Sequence, residues 1–312
     1  MKLLINRQPV RGQAWGGGAW FVNAIYDNAH ALGHQVLTVD EVKQGHKPDV
    51  ILLIGLDADG MGLTAQSAVE YARTCLTRNC IKIPIVIRVN ECDARKGTFG
   101  VDNAWRLMSQ YVDGTIFVSE WLKSYFYGWS CSNTCVIRNG VDALIFYPRQ
   151  KTNDGKLHLV THHWSNNPMK GFDIYNAIDD YVAKHNDVTF TYIGRDRGTF
   201  QHSTIVAPLH GEALGTELGK HNVYVSASRF DPGPNHVLEA ISCELPTFVH
   251  PDGGGAVEFA GSSYVFSSID DLVARAKQAR FDQQKPGSWY NCARACFEFL
   301  EMTWKTSNVS LK

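Results

Sequence analysis

Several things are scarce in this chain of 312 residues, and each scarcity excludes a class. No apolar run approaches the roughly 20 residues that a membrane-spanning helix needs. Neither charge dominates: the formal net charge is −1, so the chain does not advertise general nucleic-acid binding or adsorption to anionic lipid. Eight cysteines are present, but no two stand as C-x-x-C. Cys75 and Cys80, Cys131 and Cys135, and Cys292 and Cys296 are four or five apart, spacings that argue against zinc and against a disulfide framework. They read as reduced thiols, and the expected location is cytoplasmic. The opening M-K-L-L-I-N-R-Q-P-V turns polar too soon for a signal peptide and reads as a first strand. Internal repeats, low-complexity stretches and the G-x-G-x-x-G of dinucleotide binders are all missing, which argues against a nicotinamide dehydrogenase.

What remains is an ordinary globular composition, 44% hydrophobic and 20% charged, long enough for two domains. Short β-rich runs alternate with amphipathic stretches, the pattern of parallel sheets covered by helices. Strands are expected at 3–9, 36–39, 50–56, 83–89, 115–119 and 135–138, then at 157–163, 189–193, 204–207, 223–227, 246–250 and 264–266. Helical patterns occupy 19–32, 64–78, 103–111 and 120–129, then 172–185, 213–221, 235–243, 256–260, 269–281 and 289–304. The polar, turn-rich segment 139–156 reads as a linker. The expected fold is α/β, with two doubly wound, Rossmann-like domains facing across a cleft. Their expected bounds are 1–145 and 146–285, followed by a C-terminal helix in 286–312 that packs back on the first domain. Ligands then bind at the carboxyl ends of the strands.

The most informative run is S-A-S-R-F-D-P-G-P-N-H-V-L-E-A-I-S-C-E-L-P-T-F-V-H, residues 226–250. It reads as strand, tight turn, helix, strand. Gly233 and Pro234 stand where the helix begins, so the amides of 233–236 and the positive helix end converge on one point that suits a diphosphate. Val237, Leu238 and Ile241 face the sheet, which turns Glu239 toward the cleft and the hydroxyls of a ribose. Asp231, before the helix, is placed to take hydrogen bonds from a donor sugar, although acids there also complement the helix dipole. One strand later, three glycines at 253–255 permit close backbone approach to a ligand, and Glu258 follows within a turn. In T-H-H-W-S-N-N-P-M-K-G-F-D-I-Y, residues 161–175, Lys170 opens a helix. It is either a cation for a leaving diphosphate or a solvated surface lysine. His162 and His163 serve substrate or are satisfied by backbone.

The first half offers W-G-G-G-A-W at 15–20, a glycine turn between strand and helix, and R-V-N-E-C-D-A-R-K-G at 88–97, a strand end dense in polar groups. Asn90 and Asp93 are expected to face the cleft. The expected catalytic set is therefore Asp231, Asn90 and Asp93. The expected donor-binding set is Gly17, Gly18, Lys170, Arg195, Gly233, Pro234, Asn235, His236 and Glu239. No metal and no cofactor besides the donor substrate are expected. Base selection is assigned to the loops at 194–197 and 208–212.

Taken together, these motifs resemble the GT-B glycosyltransferases of family 4 (glycosyltransferases group 1). The resemblance covers most of the chain. It rests on residues 16–18, I-F-V-S-E-W-L at 116–122, R-N-G-V-D…F-Y-P at 138–148, Lys170-Gly171, and above all Asp231 and Glu239 with P-N-H-V-L-E-A. It implies retaining transfer of a sugar from a nucleoside diphosphate sugar to a glycan or lipid-linked glycan, without a metal. The runs H-H-W-S…K-G-F-D and R-V-N-E-C-D-A-R-K point within it to surface polysaccharide biosynthesis. The chain departs from the pattern where Asp231 replaces the usual Glu. It also lacks the arginine that usually precedes the lysine by five or six positions, where Trp164 and Ser165 stand instead. The missing phosphate contact is then expected from Arg195 or Arg229. A histidine near the reacting sugar is replaced by the 88–96 run. Alternatives left open are a sugar-nucleotide epimerase on the same fold and a non-catalytic sugar-nucleotide or glycan-binding protein. No nucleic-acid partner is expected. Any membrane association is expected to be peripheral, with Trp105, Trp121 and Trp129 either at an interface or, as is more usual, in the core, and the oligomeric state stays open.

Overall fold

The computed structural model describes residues 1–11, 16–57, 63–195 and 199–309. Short runs such as Val-Ile-Leu-Leu at 50–53, buried at every position, can only be strands covered on both faces. Eleven such strands form two wholly parallel sheets among the described residues. In the first are β1 (Lys2–Ile5), β2 (Gln35–Leu37), β3 (Val50–Leu53), β4 (Ile85–Val89), β5 (Gly114–Phe117) and β6 (Thr134–Val136), ordered β2-β1-β3-β4-β5-β6. Its crossovers carry α1 (Gly17–Ala29), α2 (Val39–Lys43), α3 (Ala65–Asn79), α4 (Asp93–Lys96), α5 (Val101–Met108) and α6 (Glu120–Tyr125).

The second sheet holds β7 (Leu157–His163), β8 (Val188–Gly194), β9 (Thr204–Val206), β10 (Val223–Ser226) and β11 (Thr247–Val249), ordered β11-β10-β7-β8-β9. With it go α7 (Phe172–Val182), α8 (Gly211–Gly219), α9 (Asn235–Ser242), α10 (Gly255–Ala260) and α11 (Ile269–Ala276). The long α12 (Trp289–Val309) closes the chain. Its Ala293, Cys296, Phe297 and Leu300 are buried in the apolar layer of β1 and α1, beside Leu3, Phe21 and Ile25.

Strand order decides where ligands bind. In the second sheet the chain leaves β7 toward β8 and β9, then returns to lay β10 on its other side. The crevice beyond the carboxyl ends of β7 and β10 is the switch point. Lys170 follows β7 and Asp231 follows β10, so topology alone brings them to one corner.

Several expectations are corrected. The expected strand at 264–266 is a 3-10 turn over Ser262–Tyr264, joined to the sheet only by a bridge between Val249 and Val265. The first strand ends at Ile5 rather than residue 9, because the Asn6 side chain takes over the pairing. Its Nδ2 donates to the carbonyls of Gly55 and Asp57, and its Oδ1 accepts from the Ile54 amide. The short α2 was not expected, although its capping box of Thr38 and Glu41 is written in the sequence. The polar segment 139–156 is no loose tether. Val141 and Phe146 are buried against α8 and α9 residues Leu214, Leu218 and Ala240, and the Val141 amide donates to the Gly287 carbonyl.

The two sheets are tied across their seam by Glu258 on α10. It accepts the Trp121 amide in the first turn of α6 at 3.0 Å and Arg138 Nε at 2.8 Å. All eight cysteines are free thiols. No helix among the described residues is long and apolar enough to cross a membrane.

Candidate functional site

The loop after β10 is bent hard. Phe230 holds a left-handed backbone (φ 52°), a conformation that costs a bulky residue about 1–3 kcal/mol and persists only where the surroundings impose it. Here three backbone bonds impose it. The Arg229 amide donates to Met169 O, Phe230 to Asp252 O, and Gly255 back to Asp231 O. The glycines at 253–255 therefore approach the backbone of Asp231 rather than a ligand, which corrects the sequence reading. Glu258 is likewise spent on the seam.

Helix α9 starts at Asn235 after Pro234, and no side chain caps it, so its first-turn amides face the cavity in front. Val237, Leu238 and Ile241 are buried against the sheet. Glu239 points the other way, and its Oε2 lies 2.8 Å from Nε2 of His162 at the end of β7.

Lys170 ends a 3-10 turn over Pro168–Lys170, begun by Asn167, whose side chain accepts the Met169 amide. Gly171 then turns left-handed (φ 84°), and a Cβ there would stand 2.1 Å from Ala227 O, so only glycine seats the lysine against β10. Lys170 Nζ reaches Asp231 Oδ2 at 3.3 Å. A second cation reaches the same oxygen from the first sheet: Arg95 Nη2 lies 2.8 Å away. Arg95 Nη1 also donates to the carbonyls of Met169 and Arg229. All three side chains are only 10–13% exposed.

Burial alone raises the Asp231 carboxyl, but Arg95 and then Lys170 outweigh it and hold it well below the usual carboxylate range. Burial, followed by repulsion from Arg95, lowers Lys170 to about 8. His163 and His236 are driven well below the usual histidine range, first by burial and then by Lys170, so both are neutral. His236 Nε2 meets Ser226 Oγ at 2.9 Å, and His163 Nε2 meets the Tyr175 hydroxyl at 2.6 Å. Two cations thus meet at one carboxylate beside two neutral histidines, while Glu239 and Asp142 add carboxylates elsewhere in the lining.

These groups line a cavity of about 210 Å³ with Gly16, Gly17, Trp20, Trp164, Leu209, His210 and Trp289. Of the expected residues, Asp231, Gly17, Lys170, Gly233, Pro234, Asn235, His236 and Glu239 all line it. Gly17 is held against the other half: a Cβ on it would lie 2.6 Å from Asn235 Oδ1 and 2.8 Å from Asn139 Nδ2. Gly18 stands beside Asn90 instead.

Asn90 and Asp93 do not line the cavity, a correction to the expected catalytic set. Asn90 packs on the glycine loop. Asp93 is consumed by its own loop, accepting from the Thr98 hydroxyl and the amides of Gly100, Val101 and Asp102. Arg195 is exposed and stacks over Trp164 at 4.3 Å, and Arg229 forms a two-pronged pair with Asp173. Neither reaches the corner. Arg95 lies in the polar run after β4, where no sequence signal sets it apart from its neighbours, and His162 is turned to Glu239. Trp15 of the glycine run and residues 196–197 of the base-selecting loop lie outside the described residues. Among the described residues no three His, Cys, Asp or Glu side chains gather as a metal ion would need.

No protein-family model matches the chain, and no curated protein does. Solved structures do. Sucrose-phosphate synthase from Thermosynechococcus elongatus superposes with a TM-score of 0.62 at 13% identity, covering 98% of this chain and 97% of its own. AviGT4, a glycosyltransferase involved in avilamycin A biosynthesis, gives 0.59 at 14% identity over 97% of this chain and 98% of its own. The S. aureus MnaA–UDP co-structure gives 0.55 at 14% identity over 95% and 94%. With this likeness over nearly the full length, and with two parallel sheets facing a shared cavity, the chain has the GT-B fold.

Proposed function

We propose that the chain is a retaining, metal-independent glycosyltransferase that takes a sugar from a nucleoside diphosphate sugar. Glu239 takes the ribose, Lys170 and the open first turn of α9 take the diphosphate, and Asp231 takes the sugar. The carrying observation is the corner itself: an uncapped helix start, a buried lysine and two carboxylates around one cavity at the switch point of the second sheet. That MnaA was solved with UDP on this fold supports the reading.

Preorganised positive charge stabilises the departing diphosphate without a divalent ion. The acceptor, a hydroxyl on a glycan or lipid-linked glycan of a surface polysaccharide, enters from the glycine-loop side. Its oxygen bonds to the anomeric carbon on the face the diphosphate leaves and its proton passes to the departing diphosphate, which retains configuration. The reaction takes place in the cytoplasm.

The test is a panel of nucleotide sugars assayed for acceptor-dependent release of nucleoside diphosphate, with and without chelator. Release that survives EDTA supports the proposal, and loss restored by manganese sinks the metal-independent part. Donor conversion with no acceptor and no nucleotide released favours an epimerase. Saturable binding without turnover under any acceptor favours a binding protein.

A further inference from the structure

We propose that Arg95 is the second cation of the diphosphate site, supplied across the cleft by the first sheet. The anion site is then complete only when the two halves meet. This rests on the donor reading above.

The two other nearby arginines are engaged elsewhere, Arg229 with Asp173 and Arg195 over Trp164. Arg95 alone of the three lines the cavity, and it shares one carboxylate oxygen with Lys170. A group that pairs with two cations at 2.8 and 3.3 Å marks where an anionic oxygen sits.

Arg95 is also aimed. Its loop is locked by the four bonds to the Asp93 carboxylate and by Lys96 on Glu91 at 2.7 Å. Its Nη1 grips the carbonyls of Met169 and Arg229, which adjoin the loops carrying Lys170 and Asp231. The guanidinium is thus anchored to the donor half while its other arm, Nη2, faces the cavity. Both cations converge on one carboxylate oxygen, so an anionic oxygen that takes its place meets both at once.

The cavity, about 210 Å³, is open to solvent. In the loaded cleft Nη2 exchanges Asp231 for a phosphate oxygen, and Asp231 is released to the sugar.

Calorimetric titration of the full chain with UDP, GDP, inorganic pyrophosphate, uridine and guanosine tests this, using wild type, R95Q, R95K and K170Q. R95Q is expected to weaken the nucleoside diphosphates and pyrophosphate about tenfold to a hundredfold while leaving the nucleosides unchanged. It should also flatten the salt dependence of diphosphate binding, and R95K should recover most of the affinity. Three results overturn the proposal. R95Q binds diphosphates like wild type while K170Q does not, which leaves the donor site standing. R95Q loses nucleosides and diphosphates equally, which makes Arg95 structural. Wild type binds no nucleoside diphosphate at all, which removes the donor reading as well.

Discussion

Arg95 Nη2 and Asp231 Oδ2, 2.8 Å apart, join residues 136 positions apart in sequence and borne by different sheets. Each lies just beyond the carboxyl end of its strand, Arg95 after β4 and Asp231 after β10. Two parallel sheets facing each other at those ends must present their loop residues to a common space. The ion pair is the direct evidence that they do. It is buried, and removing one partner of a buried pair typically costs about 3–5 kcal/mol because the other charge is left unpaired. The seam is therefore held at the site as well as behind it, where Glu258 meets α6 and Arg138.

Affinity for a nucleoside diphosphate should be flat below about pH 8 and fall above it. Lys170 has its proton affinity lowered to about 8, so its cation is present below that pH and lost above it. An anionic ligand favours the cation, so affinity drops by up to about tenfold per pH unit. In the same window stability moves the other way. The unfolded chain holds that proton up to about 10.5, so the cost of burying the charge disappears as pH rises from 8. Calorimetry from pH 6.5 to 9.5 checks the affinity, and the step should vanish in K170Q. A step unchanged in K170Q assigns the titration to another group.

Glu239→Gln should cost discrimination for the sugar of the nucleotide rather than for its phosphates. His162 fixes Oε2 of the carboxylate at 2.8 Å, so the group is oriented before any ligand arrives. A charge-assisted bond to a ribose hydroxyl is worth about 1.5–3 kcal/mol. Wild type should therefore prefer UDP or GDP over the 2′,3′-dideoxy form by roughly tenfold to a hundredfold, and E239Q should lose most of that ratio. Pyrophosphate affinity should not change. An intact preference in E239Q refutes the ribose assignment.

How legible the site was depended on how local its parts are. The strand, turn and helix around 226–243 are one contiguous unit whose glycine, proline and apolar spacing are all in the sequence, so Asp231 and Glu239 were readable. Lys170 was readable for the same reason. Arg95 was not, because its partners are chosen by the docking of one sheet on another. Nothing in R-V-N-E-C-D-A-R-K-G distinguishes the residue that crosses the cleft from the one that ties its own loop. Asp93, which looked catalytic, spends its carboxylate on four donors within nine residues. The strand expected at 264–266 failed in the same way. Its apolar residues pack on the core, but only Val265 bridges the sheet.

Gly17→Ala should impair donor binding without unfolding the chain. Gly17 is the first residue of α1, where alanine is if anything the better helix former. Its added methyl, however, meets Asn235 Oδ1 at 2.6 Å and Asn139 Nδ2 at 2.8 Å. Those two amides are bonded to each other at 2.6 Å, so neither can swing aside freely. The relief is a shift between α1 and α9 across the cleft. Stability should fall by about 1 kcal/mol, the low end of the cost of overpacking, while UDP or GDP affinity falls about a hundredfold. Equal losses of stability and affinity point instead to a disrupted first helix.

Arg88→Met should separate stability from binding in the opposite sense. Arg88, on the central β4, is completely buried, with its guanidinium 3.9 Å over the Phe21 ring and its Nε and Nη1 without hydrogen-bond partners among the described residues. Burial lowers it to about 10, against the weak opposing pull of Cys292 and Cys296. Such a group is a burden on folding, since a buried cation without a carboxylate costs several kcal/mol and methionine fills similar space without it. Its Nη2, though, donates to Asn139 Oδ1, and Asn139 in turn donates to Gly233 O and to Asn235 Oδ1 at the start of α9. The chain of bonds runs from the core of the first sheet to the cavity wall. R88M should therefore keep its melting temperature or gain a few degrees, and lose nucleotide affinity about threefold to tenfold as Asn139 loses its orientation. Measuring both on one preparation decides it. A large drop in melting temperature means that the buried cation has a partner that offsets its cost, and unchanged affinity means that Asn139 holds α9 without it.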